Sequence, residues 1–325
     1  MTCVGHAFFF SLSLLLSFSL FSPCAFAQGE KVCIIITGLG GMPEYEENFL
    51  NWARQTEALF RDELESIVYR IDARQQKKSD ILQLFDQVSS SPPSGEVWLF
   101  LIGHASHDNR HYKFNISGPD LTDEEIKTFL DALGSVRTFL IAATSASGIL
   151  ASQLGQENRV IVTATKNELE RQPPLFMSFF LEAVTSEEAD MDKDDKVSLL
   201  EAFLFSHKKV AAWFEDKGRI QTEHSMLEDH GQVRLDKENI LERDPSSQGT
   251  LLASMAYLTP SVERMYGSAE AAQLASLKVE IEREIEDLKF RKNQLPEDDY
   301  YRVLEEHLVK LAILNESIEQ LEDGP

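Results

Sequence analysis

The first 29 residues contain no Lys, Arg, Asp or Glu, and the first residue of these types is Glu30. The run from Phe8 to Phe21 is almost wholly apolar and serine, but it is too short to span a membrane comfortably. It ends in Ala25-Phe26-Ala27, the small-residue pattern after which signal peptidases cut. The sequence therefore predicts a signal peptide over residues 1–27 and an exported mature chain, periplasmic or secreted.

Cysteine is scarce, and two of the three, Cys3 and Cys24, lie in the predicted signal peptide. Because only Cys33 remains, the mature chain cannot form an intramolecular disulfide. Cys33 stands in the run Val32–Ile36, whose β-branched apolar composition is typical of a buried strand. This placement favours a packed thiol over a nucleophile.

Basic residues are outnumbered, with 31 Lys and Arg against 54 Asp and Glu, which gives a net charge of −23. The acidic excess argues against nucleic acid or an anionic membrane surface as a partner. After residue 27 no stretch is apolar enough to span a bilayer. The remaining residues suffice for one sizeable core and an appendage.

The chain alternates short β-branched runs with helical patterns, which indicates an α/β three-layer sandwich with a mainly parallel sheet. Strands are predicted at Val32–Thr37, Ser66–Ile71, Val97–Ile102, Arg137–Ala142 and Arg159–Thr163. Helices are predicted at Tyr45–Phe60, Asp80–Ser89, Asp123–Leu133, Ile149–Leu154, Leu175–Ala183 and Leu199–Phe214. We expect these elements to form one domain over residues 28–235.

The pattern changes after that domain. Residues 236–268 are mixed in composition and are interpreted as a linker. Residues 269–325 carry two apolar stripes at helical spacing, with Pro296 placed to begin the second helix. The sequence predicts a helical hairpin, which either packs on its own domain or mediates self-association as a coiled coil.

Two polar side chains follow neighbouring strands of the predicted sheet. His104 comes after the third strand, and Ser145 comes after the fourth. Because the carboxyl ends of parallel strands meet at one edge, a base and a nucleophile are expected there within reach of each other. Thr144 is an alternative for the nucleophile position, and Asp108 is the acid nearest in sequence to His104.

These residues resemble a known family. A strand ending in Gly103-His104, followed by a strand ending in Ser145-Ala146-Ser147-Gly148, is similar to the legumain and caspase clan of cysteine peptidases. The clan pattern is a strand ending in His-Gly and a later strand ending in Cys followed closely by Ser-Gly. The resemblance spans about Lys31 to Gly231. More narrowly, the chain resembles bacterial exported legumain-type relatives, through Gly38-Leu39-Gly40-Gly41 and the acidic segment Asp190–Phe203.

The resemblance implies a caspase-like sheet with His104 as general base and the backbone N–H of Ala105 as an oxyanion donor. Ser145 then stands where the family has its nucleophilic Cys, and Ala105 stands for the family Gly. A thiol becomes a thiolate readily beside His, whereas a serine hydroxyl does not and needs an oriented base. We favour a pseudopeptidase that binds a peptide or protein; the alternative is an active endopeptidase that uses Ser145.

A second pattern of residues lies in the segment 190–201. Acids occupy the first, third, fifth and twelfth places of a twelve-residue loop, and Lys196 and Ser198 occupy the seventh and ninth. The proposed ligands of a structural calcium ion are therefore Asp190, Asp192, Asp194, Lys196, Ser198 and Glu201. The sixth place of such a loop is normally Gly, but this sequence has Asp195 there. Asp tolerates the left-handed conformation that this place requires. The alternative is a solvated acidic helix start.

Overall fold

The computed structural model describes residues 30–231, 233–236, 252–259, 269–290 and 295–322. The predicted signal peptide lies outside the described residues. No helix within these ranges has the length and apolar character of a membrane span.

A seven-stranded sheet forms the centre of the molecule, and a small three-stranded sheet lies beside it. In chain order the strands are β1 (Lys31–Thr37), β2 (Ile67–Asp72), β3 (Glu96–Gly103), β4 (Ala105–His107), β5 (Tyr112–Phe114), β6 (Leu121–Thr122), β7 (Arg137–Thr144), β8 (Arg159–Thr163), β9 (Met226–Asp229) and β10 (Val233–Leu235). The large sheet runs β10-β9-β8-β7-β3-β1-β2. Its pairs from β2 to β8 are parallel, whereas β9 and β10 are antiparallel.

Helices cover both faces of the large sheet. In chain order they are α1 (Pro43–Ala58, continued by a π-helical turn at Leu59–Glu63), α2 (Lys78–Ser90), α3 (Asp123–Ala132), α4 (Gly148–Leu154), α5 (Phe176–Ala183), α6 (Leu199–Asp216), α7 (Leu252–Met255), α8 (Ala269–Phe290) and α9 (Glu297–Glu322). Side chains of α1, α5, α6 and α7 pack on one face, and those of α2, α3 and α4 pack on the other. Central strand β3 is buried at every residue because both its faces are covered. The predicted α/β class, with its mainly parallel sheet and C-terminal helices, is confirmed.

The linker interpretation of residues 236–268 needs a correction within its described part. Residues 252–259 form α7 and a bridge between Tyr257 and Ser198, and Ala253, Ala256 and Leu258 are buried in the main core. Backbone hydrogen bonds from Leu199 N to Ala256 O and from Leu258 N to Val197 O, each 2.8 Å, fix this segment on the domain. Its four-residue helix is too short to show a helical period in the sequence. Residues 237–251 and 260–268 lie outside the described ranges.

The two C-terminal helices, α8 and α9, pack against each other. Lys196 of the domain also approaches α8, with its Nζ 3.5 Å from Glu282 Oε2. This contact joins the helical hairpin to its own domain. Self-association through the hairpin stays a prediction, and α9 presents exposed apolar side chains at Leu308, Val309 and Ile313.

Candidate functional site

The register of two strands places His104 and Ser145 side by side in the backbone. Gly103, the last residue of β3, pairs with Thr144, the last residue of β7. His104 and Ser145 are therefore the first residues beyond two adjacent parallel strands. This adjacency follows from strand pairing alone, whereas the directions of the two side chains do not.

The His104 side chain points toward the end of β1 and the start of α1. Its Nε2 lies 2.9 Å from the carbonyl oxygen of Gly40, and because a carbonyl only accepts, Nε2 carries the hydrogen. The rings of Tyr45 and Phe49 approach edge-on, with centroids 5.3 and 5.1 Å away. Burial lowers the pKa of His104, which favours the neutral imidazole.

The Ser145 hydroxyl is enclosed by the backbone of Ala105. Its Oγ donates to the Ala105 carbonyl at 2.8 Å and accepts from the Ala105 N–H at 3.0 Å. Only 2 % of Ser145 is exposed. The N–H expected to stabilise an oxyanion is thus bonded to the hydroxyl itself, and no hydrogen bond joins His104 to Ser145 among the described residues.

The turn after Ser145 is held rigidly. Ala146 adopts a left-handed conformation with φ +54°, and its N–H donates to the Glu170 carbonyl at 2.8 Å. Ser147 Oγ donates back to the Thr144 carbonyl at 2.8 Å. Gly148 begins α4 against the backbone of Lys166, where a Cβ would lie 2.1 Å from the Lys166 carbonyl carbon. A shift of the Ser145 backbone would therefore disturb several neighbouring contacts.

The two alternative residues have other partners. Thr144 Oγ1 is hydrogen-bonded to the Tyr112 hydroxyl at 2.8 Å, and Thr144 is fully buried. Asp108 pairs with Lys113 at 2.6 Å and accepts from the N–H groups of Arg110 and His111. The Lys113 ammonium and these N–H groups hold the pKa of Asp108 well below its usual range. No carboxylate is hydrogen-bonded to His104 within the described ranges.

Three acids of the segment 190–201 converge. One carboxylate oxygen from each of Asp190, Asp192 and Asp194 lies within 4.8 Å of the others. Asp190 organises the loop, since its Oδ1 accepts from Lys193 N at 2.7 Å and its Oδ2 from Asp195 N at 3.1 Å. Lys193 and Asp195 adopt φ values of +65° and +63°. Asp195 thus takes the left-handed conformation that a glycine usually supplies at the sixth place.

The remaining proposed ligands, Lys196, Ser198 and Glu201, make other contacts in the structure. Glu201 Oε2 accepts from Ser198 N and Ser198 Oγ, each at 2.8 Å, in the capping box of α6. Glu201 Oε1 accepts from Met191 N at 2.8 Å. The Lys196 Nζ lies 3.8 Å from Asp194 Oδ2, so only the Lys196 backbone carbonyl suits a cation. Burial raises the pKa of Asp194 to about 6.

A largely buried acid–histidine pair, which the sequence pattern does not indicate, lies at the same sheet edge. Glu170 Oε1 lies 2.5 Å from His224 Nδ1, and Glu170 Oε2 accepts from His224 N at 3.1 Å. The neighbouring Glu223, 3 % exposed, accepts from Leu175 N and Phe176 N at 2.7 Å each and so caps α5. Glu170 and His224 are 54 residues apart in the chain. No local pattern could have joined them.

Comparison with known proteins gives similarity only at the level of structure. No protein-family profile matches the chain, and no curated protein is similar in sequence. The Drosophila initiator caspase Dronc is 11% identical, with 62% of this chain and 80% of that chain covered and a TM-score of 0.44. Caspase-1 from Spodoptera frugiperda is 11% identical, with 64% and 89% covered and a TM-score of 0.41. A secreted C11 cysteine protease from Bacteroides thetaiotaomicron, solved with an irreversible peptide inhibitor, is 9% identical, with 61% and 65% covered and a TM-score of 0.38.

Proposed function

We propose that the mature chain is an exported pseudopeptidase of the legumain and caspase type, which binds a peptide or protein without cleaving it. The observation that carries this proposal is the state of Ser145. Its hydroxyl makes hydrogen bonds to both the N–H and the carbonyl of Ala105 and is 2 % exposed. A nucleophile needs an accessible oxygen with a base beside it.

His104 supports the same proposal. Its ring donates to Gly40 and contacts the rings of Tyr45 and Phe49. A serine hydroxyl requires a base that is oriented by a third group, and within the described ranges no carboxylate supplies that orientation. Activating Ser145 would require both side chains to leave their present hydrogen bonds.

The proposal predicts that wild-type protein will not cleave a diverse peptide pool in a Ser145-dependent way. We expect the same product profile, read by mass spectrometry, from wild type and Ser145→Ala. Ser145→Cys restores the thiol of the family, and activity that appears only in this variant would support a degenerate peptidase site. Ser91→Cys, which places a thiol at an exposed position after α2, is the matched control. Cleavage by wild type that Ser145→Ala abolishes would establish the active endopeptidase instead.

We also propose that the loop 190–201 binds a structural calcium ion. Two features support this: three carboxylates that converge within 4.8 Å, and left-handed backbone at the fourth and sixth places. Asp190, Asp192 and Asp194 would supply carboxylate oxygens, Lys196 its carbonyl, and Ser198 and Glu201 the remaining ligands. The ion would tie α6 to the segment that precedes it.

Calcium should raise the melting temperature of the protein. At a free calcium concentration 100 times the dissociation constant, binding to the native state alone contributes about 2.7 kcal/mol. For a domain of this size that corresponds to about 5–10 °C. Calorimetry in millimolar calcium against chelator measures the shift, and Asp192→Asn should reduce it. Asp298→Asn, at the exposed start of α9, is the control; an unchanged wild-type melting temperature would refute the site.

A further inference from the structure

A cavity of about 350 Å³ lies at the carboxyl edge of the large sheet. Its walls come from the first turn of α4, the loop after β8 and the residues that lead into β9. Open α/β sheets bind ligands beyond their carboxyl strand ends, and this volume is at the small end of the range for ligand pockets. The cavity is distinct from the Ser145 hydroxyl, which is bonded to Ala105.

One wall of the cavity holds a pre-oriented imidazole. His224 lines the cavity and is 8 % exposed. Its Nδ1 is bonded to Glu170 Oε1 at 2.5 Å, so Nε2 is the ring nitrogen left for a ligand. Within the described ranges Nε2 has no protein partner, and it is not sealed from the cavity. A carboxylate that fixes one imidazole nitrogen in this way holds the other in a defined direction.

The loop after β8, which forms another part of the lining, is also held in place before any ligand binds. Glu170 Oε2 accepts from Lys166 N at 3.0 Å, and Thr165 Oγ1 accepts from Gly148 N at 3.1 Å. The close approach of Gly148 to the Lys166 backbone joins α4 to this loop. Because the walls are pre-organised, a ligand would lose little binding free energy in ordering them.

Side chains of both charges line the cavity together with apolar surface. Lys166 and Arg234 are basic, and Glu168 and Asp236 are acidic. An anionic ligand would be attracted by the basic groups but opposed by the carboxylates, and the reverse holds for a cationic ligand. A ligand that carries both charges can place its carboxylate near Lys166 and its ammonium near Glu168.

The apolar part of the lining comes from Ile149 and Met226. These side chains suit an aliphatic group. We propose that the cavity binds a small zwitterion, namely an amino acid or dipeptide with an apolar side chain. The ligand ammonium would meet Glu168 and the Nε2 of His224, which accepts because Nδ1 carries the hydrogen toward Glu170. The ligand carboxylate would meet Lys166. This goes beyond peptide binding at the Ser145 site.

Isothermal titration of the full mature chain with leucine and with leucyl-leucine tests the proposal. We expect saturable binding of at least one of them, and at least tenfold weaker binding of N-acetyl-leucine and of leucinamide, which each lack one charge. Lys166→Gln should weaken binding of the zwitterion about tenfold, because a charge-assisted hydrogen bond is lost. Lys208→Gln, at an exposed position of α6, should leave it unchanged.

Two results would overturn the proposal. One is an absence of binding by both zwitterions to folded wild-type protein, with folding checked by circular dichroism. The other is binding that neither Lys166→Gln nor Glu168→Gln alters. Both variants replace side chains at the cavity rim and leave the hydrogen bond from Lys166 N to Glu170 in place. Both are therefore expected to fold. Ligand binding at the cavity is measured independently of peptide cleavage. The cavity proposal can therefore fail while the pseudopeptidase proposal holds.

Discussion

Replacement of Gly148 by alanine is expected to destabilise the protein by about 3 kcal/mol or more. The added Cβ would lie 2.1 Å from the carbonyl carbon of Lys166 and 2.3 Å from the N of Asn167. Both atoms belong to the backbone, so no side-chain rotation can relieve the overlap. The loop after β8 and the start of α4 must separate, and the hydrogen bonds of Thr165 with Gly148 and Ser147 would be strained with them.

Urea denaturation followed by circular dichroism measures this effect. Ser152→Ala, an exposed position on the same helix, is the control and should change the free energy of unfolding by no more than about 0.5 kcal/mol. A Gly148→Ala variant with wild-type stability would show that α4 does not approach the Lys166 backbone so closely.

Ionisation of Glu228 should lower the stability of the protein by up to about 3 kcal/mol as pH rises from about 4.5 to 7. Burial raises the pKa of Glu228 to about 7, and its Oε2 has no hydrogen-bond partner within the described ranges. The folded state therefore keeps a proton that the unfolded chain releases near pH 4.5. This contribution is complete below the unfolded pKa and is lost as pH rises through the folded pKa.

The variant Glu228→Gln cannot titrate at this position. The quantity to compare between wild type and the variant is the slope of the free energy of unfolding against pH. Burial also raises the pKa of Glu223, to about 8, so the variant should retain part of the decline. Wild type should lose stability more steeply than Glu228→Gln between pH 5 and 7, while the two slopes converge above pH 8. Parallel slopes throughout would mean that Glu228 is ionised in the folded protein.

The strands of the sheet could be predicted because burial on both faces leaves continuous β-branched runs. The run at Val97–Ile102 lies within β3, and the run at Arg159–Thr163 coincides with β8. Strand order then placed His104 beside Ser145, as the paired residues Gly103 and Thr144 show. This part of the site follows from backbone geometry.

The chemical state of the site could not be predicted because it depends on side-chain direction. Nothing in the local sequence indicates that His104 turns toward Gly40 or that Ser145 Oγ bonds to Ala105. These choices are made by contacts between residues distant in the chain. The pair Glu170 and His224 was missed for the same reason.

Short elements were also missed. Strands β4, β5 and β6, of two or three residues each, form a sheet within the polar segment after His104. Elements of this length carry too few residues to show a period. Residues 252–259 contribute Ala253, Ala256 and Leu258 to the core; their apolar composition was a signal, but the segment is too short to show a helical or strand period.

The Ser145 hydroxyl is enclosed, and among the described residues no base is hydrogen-bonded to it. Mass spectrometry after incubation of the mature protein with a serine-reactive fluorophosphonate tests this most directly, because the reagent modifies only serines that a neighbouring base activates. Active trypsin, a serine protease with an activated serine, is treated in parallel as the positive control for the reagent. We expect an unmodified Ser145 in wild-type protein. Stoichiometric modification of Ser145 that His104→Ala abolishes would contradict this expectation and establish a working serine–histidine dyad.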